Sequence, residues 1–367
     1  MPVSLFKNTE GIIKTPKLKI GSATADIPII QGGMGVRVSL SSLASAVANE
    51  GGIGTISSIG LGDLEASKKD YERISREALK REIRIARSKT AGHLAVNVMG
   101  VLSNVDDLVK TSIQQGIKII VFGAGLPIKL PGMVEDSSVN LVPIISSARV
   151  AKLILRAWDK RYGRIADGFI LEGPLAGGHL GFSEEQLHNP ESFNLEKLLL
   201  ELLESIKYFE DKYGRKIPIV AGGGIYDGRD IARMLSLGAS GVQMGTRFVC
   251  TEECNVSPEF KQAFLDAKKE DIVIIKSPIG MPGRAIRNRF LKDLENIEKV
   301  KIKCPYRCLT ICKIDKAKYC IAQALVNSYF GDVDHGLIFC GQNAYRVNKI
   351  YTVKELIKEL IDGLEAE

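Results

Sequence analysis

A histidine stands among glycines in the run Glu172-Gly173-Pro174-Leu175-Ala176-Gly177-Gly178-His179-Leu180-Gly181, directly after a short apolar segment. Imidazole exchanges a proton near neutrality, and the Gly177 and Gly178 backbone N–H groups stand open to an anion beside it. His179 is therefore a candidate acid or base. His93, His188 and His335 have no such setting and read as structural. Two further glycine turns, Ala221-Gly222-Gly223-Gly224-Ile225 and Gln243-Met244-Gly245-Thr246-Arg247, each follow an apolar run. Glycine lets backbone N–H groups approach a phosphate with no Cβ in the way. Early in the chain, Gln31-Gly32-Gly33-Met34-Gly35 offers a polarizable thioether and bare backbone to a planar ring. Asn97, within Val96-Asn97-Val98-Met99-Gly100, offers an amide donor and acceptor to the edge of a heterocycle. No Gly-x-Ser-x-Gly elbow occurs, so a serine nucleophile is disfavoured.

Cys304, Cys308, Cys312 and Cys320 form a second group with chemical potential, as metal or iron–sulfur ligands. Their spacing argues the other way. No Gly or Pro occurs from Tyr306 to Phe330, which predicts a continuous helix starting near Pro305. In it Cys304 and Cys312 would stand about 12 Å apart along the axis. The expectation is a stripe of buried thiols, with an iron–sulfur cluster as the alternative. Cys250 and Cys254 share an i, i+4 relation without evident ligand partners.

The elements that must position these residues are legible as eight short apolar segments: 27–31, 53–57, 94–98, 117–122, 141–145, 168–171, 217–221 and 241–244. Continuous apolar runs of this length suit strands buried on both faces of a parallel sheet. Helical periodicity fills most of the gaps between them. Leu195, Leu198, Leu199, Leu202, Leu203, Ile206 and Phe209 recur at three and four residues behind Asn194, a candidate N-cap. A shorter helix follows Asp227 and stops at Gly238. A doubly wound open sheet uses the same alternation, but it places its glycine fingerprint after the first strand. Here the glycine turns follow the seventh and eighth, where a (β/α)8 TIM barrel holds phosphate. The expected organisation is a barrel over residues 1–277 and an appended basic, cysteine-bearing helical segment over 278–367.

Composition sets the outer limits. The chain has 367 residues, 45% apolar, with 50 basic and 43 acidic side chains and a net charge of +7. Both signs are scattered and no basic tract is interleaved with aromatics, so nucleic acid is not an expected partner. The stretch Arg284, Arg287, Arg289, Lys292, Lys299, Lys301 and Lys303 reads as solvated surface, with a nucleotide phosphate or an acyl carrier's acidic face as the alternative partner. No apolar run has signal-peptide or membrane-spanning length, so a cytoplasmic location is expected. Seven cysteines, an odd number, argue for reduced thiols or metal ligands.

The motifs at Gln31–Gly35, Ala176–His179, Ala221–Ile225 and Gln243–Phe248, in this order, resemble those of the nitronate monooxygenase family, formerly called 2-nitropropane dioxygenases. That family also contains the flavin-dependent type II enoyl-acyl carrier protein reductases. The resemblance runs from about Pro28 to Phe260. It implies FMN at the barrel mouth, with Gly33 and Met34 against the isoalloxazine and Asn97 near the ring edge. Gly178, Gly223, Gly224, Gly245 and Thr246 would surround the phosphate, Gly177 and Gly222 would also contact the cofactor, and Gln243 would reach the flavin. His179 falls at the family's catalytic position. The implied reaction is oxidation of alkyl nitronates with dioxygen to a carbonyl compound and nitrite. The alternative is NAD(P)H-dependent reduction of an enoyl thioester, and an alternative of another class is a flavin or metal redox module serving a partner protein. Many members carry a glutamate immediately before Ala-Gly-Gly-His, where this chain has Leu175; Glu172 is the nearby carboxyl that could substitute. Gly341-Gln342-Asn343-Ala344-Tyr345 is expected to fold back over the barrel mouth before a final helix over 353–364.

Overall fold

The computed structural model describes residues 15–62, 67–189, 193–296, 302, 304 and 307–367. A short antiparallel hairpin, β1 (Leu18–Ile20) and β2 (Ala23–Ala25), comes first. There follow β3 (Ile29–Gln31), β4 (Ile53–Ser57), β5 (His93–Met99), β6 (Ile119–Gly123), β7 (Asn140–Ile145) and β8 (Phe169–Glu172). After the two-residue β9 (Gly178–His179) come β10 (Ile219–Gly222), β11 (Gly241–Met244), β12 (Ile272–Lys276) and β13 (Pro282–Ile286). Strands β3 to β8, β10 and β11 are parallel and close into a barrel, β8 pairing with β10 and β11 with β3. The eight apolar segments of the sequence supply these eight strands in the same order.

Inside the barrel, Ile30, Ile53, Ala95, Ile119, Val121, Val142, Ile170 and Val220 pack in one cluster, joined by Leu18, Ile20, Ala23 and Ala25 of the β1–β2 hairpin. The interior is thus filled by branched side chains and is no channel, as in other eight-stranded barrels. The surrounding helices obey their sequence signals. Asn194 caps the helix Leu195–Tyr213 by accepting from the Lys197 N–H, and Leu198, Leu199, Leu202, Ile206 and Phe209 are its buried side. Asp227 and Asp230 form a reciprocal capping box at the helix Gly228–Ser236.

Two departures concern the site directly. The β-branched run at β12 forms a hairpin with β13, and β13 pairs with β9, fixing Gly283 opposite His179 and Arg284 opposite Gly178. The cysteine-bearing stretch is not a continuous helix from Pro305, a position itself outside the described residues. Residues 307–313 form no helix, with a single bridge at Leu309 and a turn at 310–311, Ile314–Lys316 is a single 3-10 turn, and the α-helix spans only Ile321–Tyr329. Tertiary pairing competes successfully with local helical preference here: Leu309 bridges to Leu102, and the Thr310 N–H donates to the Val101 carbonyl at 2.9 Å. Among the described residues, no helix is long and apolar enough to cross a membrane.

Candidate functional site

At the C-terminal ends of the barrel strands lies a cavity of about 310 Å3, within the range that holds organic ligands. Register places the sequence candidates around it. Gln243 lies opposite Gly222, Gly222 opposite Glu172, and Met244 opposite Gln31. Gly33, Met34, Asn97, Gly177, Gly178, His179, Gly222, Gly223, Gly224, Gln243, Gly245 and Thr246 all line this one cavity.

The backbone at the site is shaped for close approach. Gly223 and Gly224 have φ of +96° and +88°, a conformation that L side chains rarely adopt. At Gly33 a Cβ would stand 2.3 Å from the Asn97 Cβ, so only glycine leaves both the loop and the amide in place. Gln31 explains how the loop is held. Its side-chain amide donates to the Gly32 carbonyl and to Ser39 Oγ, while Oε1 accepts from the Thr55 N–H at 3.0 Å. Beside the loop, Ser57 Oγ is buried with no hydrogen-bond partner among the described residues. A mouth that combines glycine-bared backbone with a thioether and two amides fits a planar, phosphate-bearing ligand.

His179 sits in β9 with its ring against the edge of Phe339, centroids 5.1 Å apart, and its Nε2 is 2.8 Å from Ser277 Oγ. Burial pushes its pKa down to about 4. The proton exchange near pH 6.5 that the sequence implies is therefore not what this ring offers: at neutrality the imidazole is uncharged, with one nitrogen engaged by Ser277. Burial acts oppositely on Glu172, raising its carboxyl to about 7. It is the cavity group poised to exchange a proton at neutrality. Leu175 lines the same cavity and brings no carboxylate.

The sequence did not mark Ser277, Phe339 or Arg284 for this site. Arg284 is buried, and its guanidinium donates to the Pro174 carbonyl at 2.8 Å and to the Ala176 carbonyl. It clamps the loop leading to His179 and is withdrawn from the solvated basic surface to which its position assigned it. In the same stretch, Arg287 pairs with Glu295 and Arg289 with Asp293; Lys299, Lys301 and Lys303 lie outside the described residues. The tail reaches the cavity at three points. Cys340 and Gly341 line the cavity, the Gly341 N–H donates to Thr246 Oγ1 at 3.0 Å, and the Asn343 amide donates to the Gly224 carbonyl at 2.6 Å. The final helix spans Val353–Glu365.

The other histidines make local contacts: His93 with the Thr24 carbonyl, His188 with that of Glu184, and His335 with Asp332. All seven cysteines are free of disulfides. Among the described residues, no group of three or more His, Cys, Asp or Glu side chains stands ready to hold a metal ion. Burial pushes Cys250 up to about 12 and Cys254 to about 11, so both are protonated.

A closed parallel barrel with its cavity at the strand C-termini, lined by a histidine and several glycine turns, defines a barrel enzyme whose site is built from the βα loops. The chain belongs to the nitronate monooxygenase family, whose model matches residues 16–363. It is 29% identical over 269 residues to the (3aS,4S,5R,7aS)-5-hydroxy-7a-methyl-1-oxo-octahydro-1H-indene-4-carboxyl-CoA dehydrogenase of Mycobacterium tuberculosis, covering 73% of this chain and 65% of that protein, less than two thirds of its length. A probable nitronate monooxygenase of Staphylococcus aureus is 25% identical, over 74% of this chain and 79% of that one. Among solved structures, FabK from Thermotoga maritima superposes with a TM-score of 0.72 at 28% identity, covering 93% of this chain and 94% of that one. A nitroalkane oxidase from Streptomyces ansochromogenes shares the fold, with a TM-score of 0.71 at 22% identity.

Proposed function

We propose that this protein is an FMN-dependent oxidoreductase of nitronate monooxygenase type, oxidising alkyl nitronates with dioxygen to a carbonyl compound and nitrite. In this reading residues 1–277 form the FMN-binding barrel and 278–367 a segment folded onto it. Gly222, Gly223, Gly224, Gly245 and Thr246 hold the phosphate, with Gly177 and Gly178 facing it from the His179 loop. Gly33 and Met34 support the ring, while Asn97 and Gln243 bond its polar edge. FMN supplies the electron acceptance and donation. The observation that carries the reading is the convergence of all these residues with His179 on one cavity.

The chain's own contribution follows from the state of its groups. His179, neutral at pH 7 and held through Nε2 by Ser277, presents the ring's other nitrogen to orient the nitronate oxygens or, where the substrate arrives as a neutral nitroalkane, to take its α-proton. Arg284 holds the Pro174–Ala176 backbone and so fixes the loop that carries that ring. Phe339 and Leu175 present apolar surface that excludes water from the reacting side.

One observation favours a second reading, reduction of an enoyl thioester. Glu172 retains its proton up to about pH 7, so it can deliver one to the α-carbon once hydride has reached the β-carbon. A CoA thioester is named in the Mycobacterium tuberculosis relative. Oxygen uptake and nitrite release from propyl-2-nitronate, measured beside NADH and NADPH loss with crotonyl-thioester, separates the two. Nitrite formation without enoyl-dependent NAD(P)H loss supports nitronate oxidation; the reverse result overturns it in favour of the reductase.

A further inference from the structure

We propose that Cys304, Cys308, Cys312 and Cys320 are the four ligands of an iron–sulfur cluster placed beside the barrel-mouth cavity. The chain path is what brings them together. A continuous helix would have strung them along its axis; instead residues 307–320 are folded back against the loop that follows β5. The Ser103 N–H donates to the Cys308 carbonyl at 3.0 Å, Leu309 bridges to Leu102, and the Cys312 N–H donates to the Leu309 carbonyl at 3.4 Å. Cys320 occupies the N-cap position of the helix Ile321–Tyr329, and its side chain makes no cap hydrogen bond. The resulting proximity is felt electrostatically. Cys304, Cys312 and Cys320 all stand within electrostatic reach of Cys308. Cys304 and Cys320 are likewise within reach of Cys312.

An independent observation lies on the facing loop. Ser103 Oγ and Asn104 Nδ2 are buried and have no hydrogen-bond partner among the described residues, directly beside the point where Ser103 ties down Cys308. Unpartnered buried donors next to a thiol group are what hydrogen bonding to cluster sulfurs requires.

The arrangement selects a cluster over a single ion. As they stand, no three of the described side chains could hold one metal ion. A tetrahedral zinc needs its thiolates drawn in around a single centre, whereas an iron–sulfur core carries its own sulfides and takes its four thiolates at a wider spread. Position points the same way. Cys308 and Leu309 line the cavity that Met34 and His179 also line, where a redox-active occupant has a use that redox-inert zinc lacks. Only this last point rests on the proposed flavin reading.

The test counts iron and acid-labile sulfide in the full-length protein purified without oxygen, with FMN quantified separately. Equal amounts of iron and sulfide, roughly four of each per chain, with an electron paramagnetic resonance signal after dithionite, support the site. Cys312→Ser and Cys320→Ser should each lose most of the iron while retaining the circular dichroism and thermal unfolding of the parent, and Cys250→Ser should retain it. Absence of iron and sulfide even after anaerobic reconstitution with ferrous iron and sulfide overturns the proposal. So does zinc bound without sulfide, or loss of iron from Cys250→Ser equal to that from Cys312→Ser. Because iron is counted apart from flavin, failure of the FMN reading would leave this result intact.

Discussion

Glu172→Gln isolates the effect of the buried carboxyl, and its sign reverses the usual pattern for acidic residues. Burial raises the Glu172 pKa from 4.5 to about 7. At about 1.4 kcal/mol per pH unit, that rise corresponds to about 3 kcal/mol favouring the protonated form in the folded state. Below pH 4.5 the carboxyl is protonated in both folded and unfolded chains, and the glutamine variant should match the parent. Between about 4.5 and about 7 the unfolded chain ionises while the folded parent still holds its proton, so the parent's stability falls relative to the variant across that window and levels off above it. Glu172→Gln should therefore be more stable by up to about 3 kcal/mol at pH 8 and unchanged near pH 4. Urea unfolding midpoints across this range, at one fixed concentration of added FMN so that ligand linkage is constant, read the difference directly. A variant that tracks the parent in parallel from pH 4 to 8, or falls below it at pH 8, refutes the placement of a desolvated carboxyl at the end of β8.

Ser277→Ala removes the partner of His179 Nε2 and should lower kcat roughly five-fold, the worth of a hydrogen bond of about 1 kcal/mol, with FMN content unchanged. The pH profile of kcat/KM should show no limb from His179 between pH 5 and 8, since that ring is already neutral. In the reductase reading it falls above about 7 as Glu172 ionises, and Glu172→Gln abolishes that limb. Gly224→Ala forces a Cβ onto a residue at φ +88° and 3.0 Å from the Leu175 side chain; it should cost about 1–2 kcal/mol and weaken FMN binding, read by fluorescence titration. Arg284→Met leaves the Pro174 and Ala176 carbonyls without their donor. About 2 kcal/mol of stability and most of the turnover should go with it, seen in thermal melts and steady-state rates.

The barrel was legible because its strands are buried on both faces and so read as unbroken apolar runs, from 27–31 to 241–244. The glycine turns were legible for a related reason: each loop that brings bare backbone to the cavity must have glycine at Gly33, Gly223 and Gly224. What the sequence concealed is what tertiary pairing created. Ser277 meets His179 from 98 residues away, and no local pattern marks a serine for that task. The strand signal that would have helped was present in Ile272-Val273-Ile274-Ile275, whose β-branched run precedes Ser277 and forms the hairpin with β13. Arg284 carried the wrong label for the same reason, as one cation in a basic stretch until its strand paired with β9 and buried it. The cysteine segment was misread because helix preference was taken without its competitor, the pairing of Leu309 with Leu102. His179 was singled out by its glycine setting, and the structure sets it in the cavity wall, while its neutral state depends on burial that composition does not report.

The central claim is that the cavity holds FMN through the glycine turns and that His179 acts on the substrate from beside it. His179→Ala tests it most directly, with FMN per chain and turnover measured on the same preparation, using whichever of propyl-2-nitronate and crotonyl-thioester the parent consumes. The account predicts flavin retained at the parental level and turnover reduced at least a hundred-fold, about 3 kcal/mol, the contribution of a positioned acid or base. Parental turnover, or loss of bound flavin in a folded variant, would contradict it.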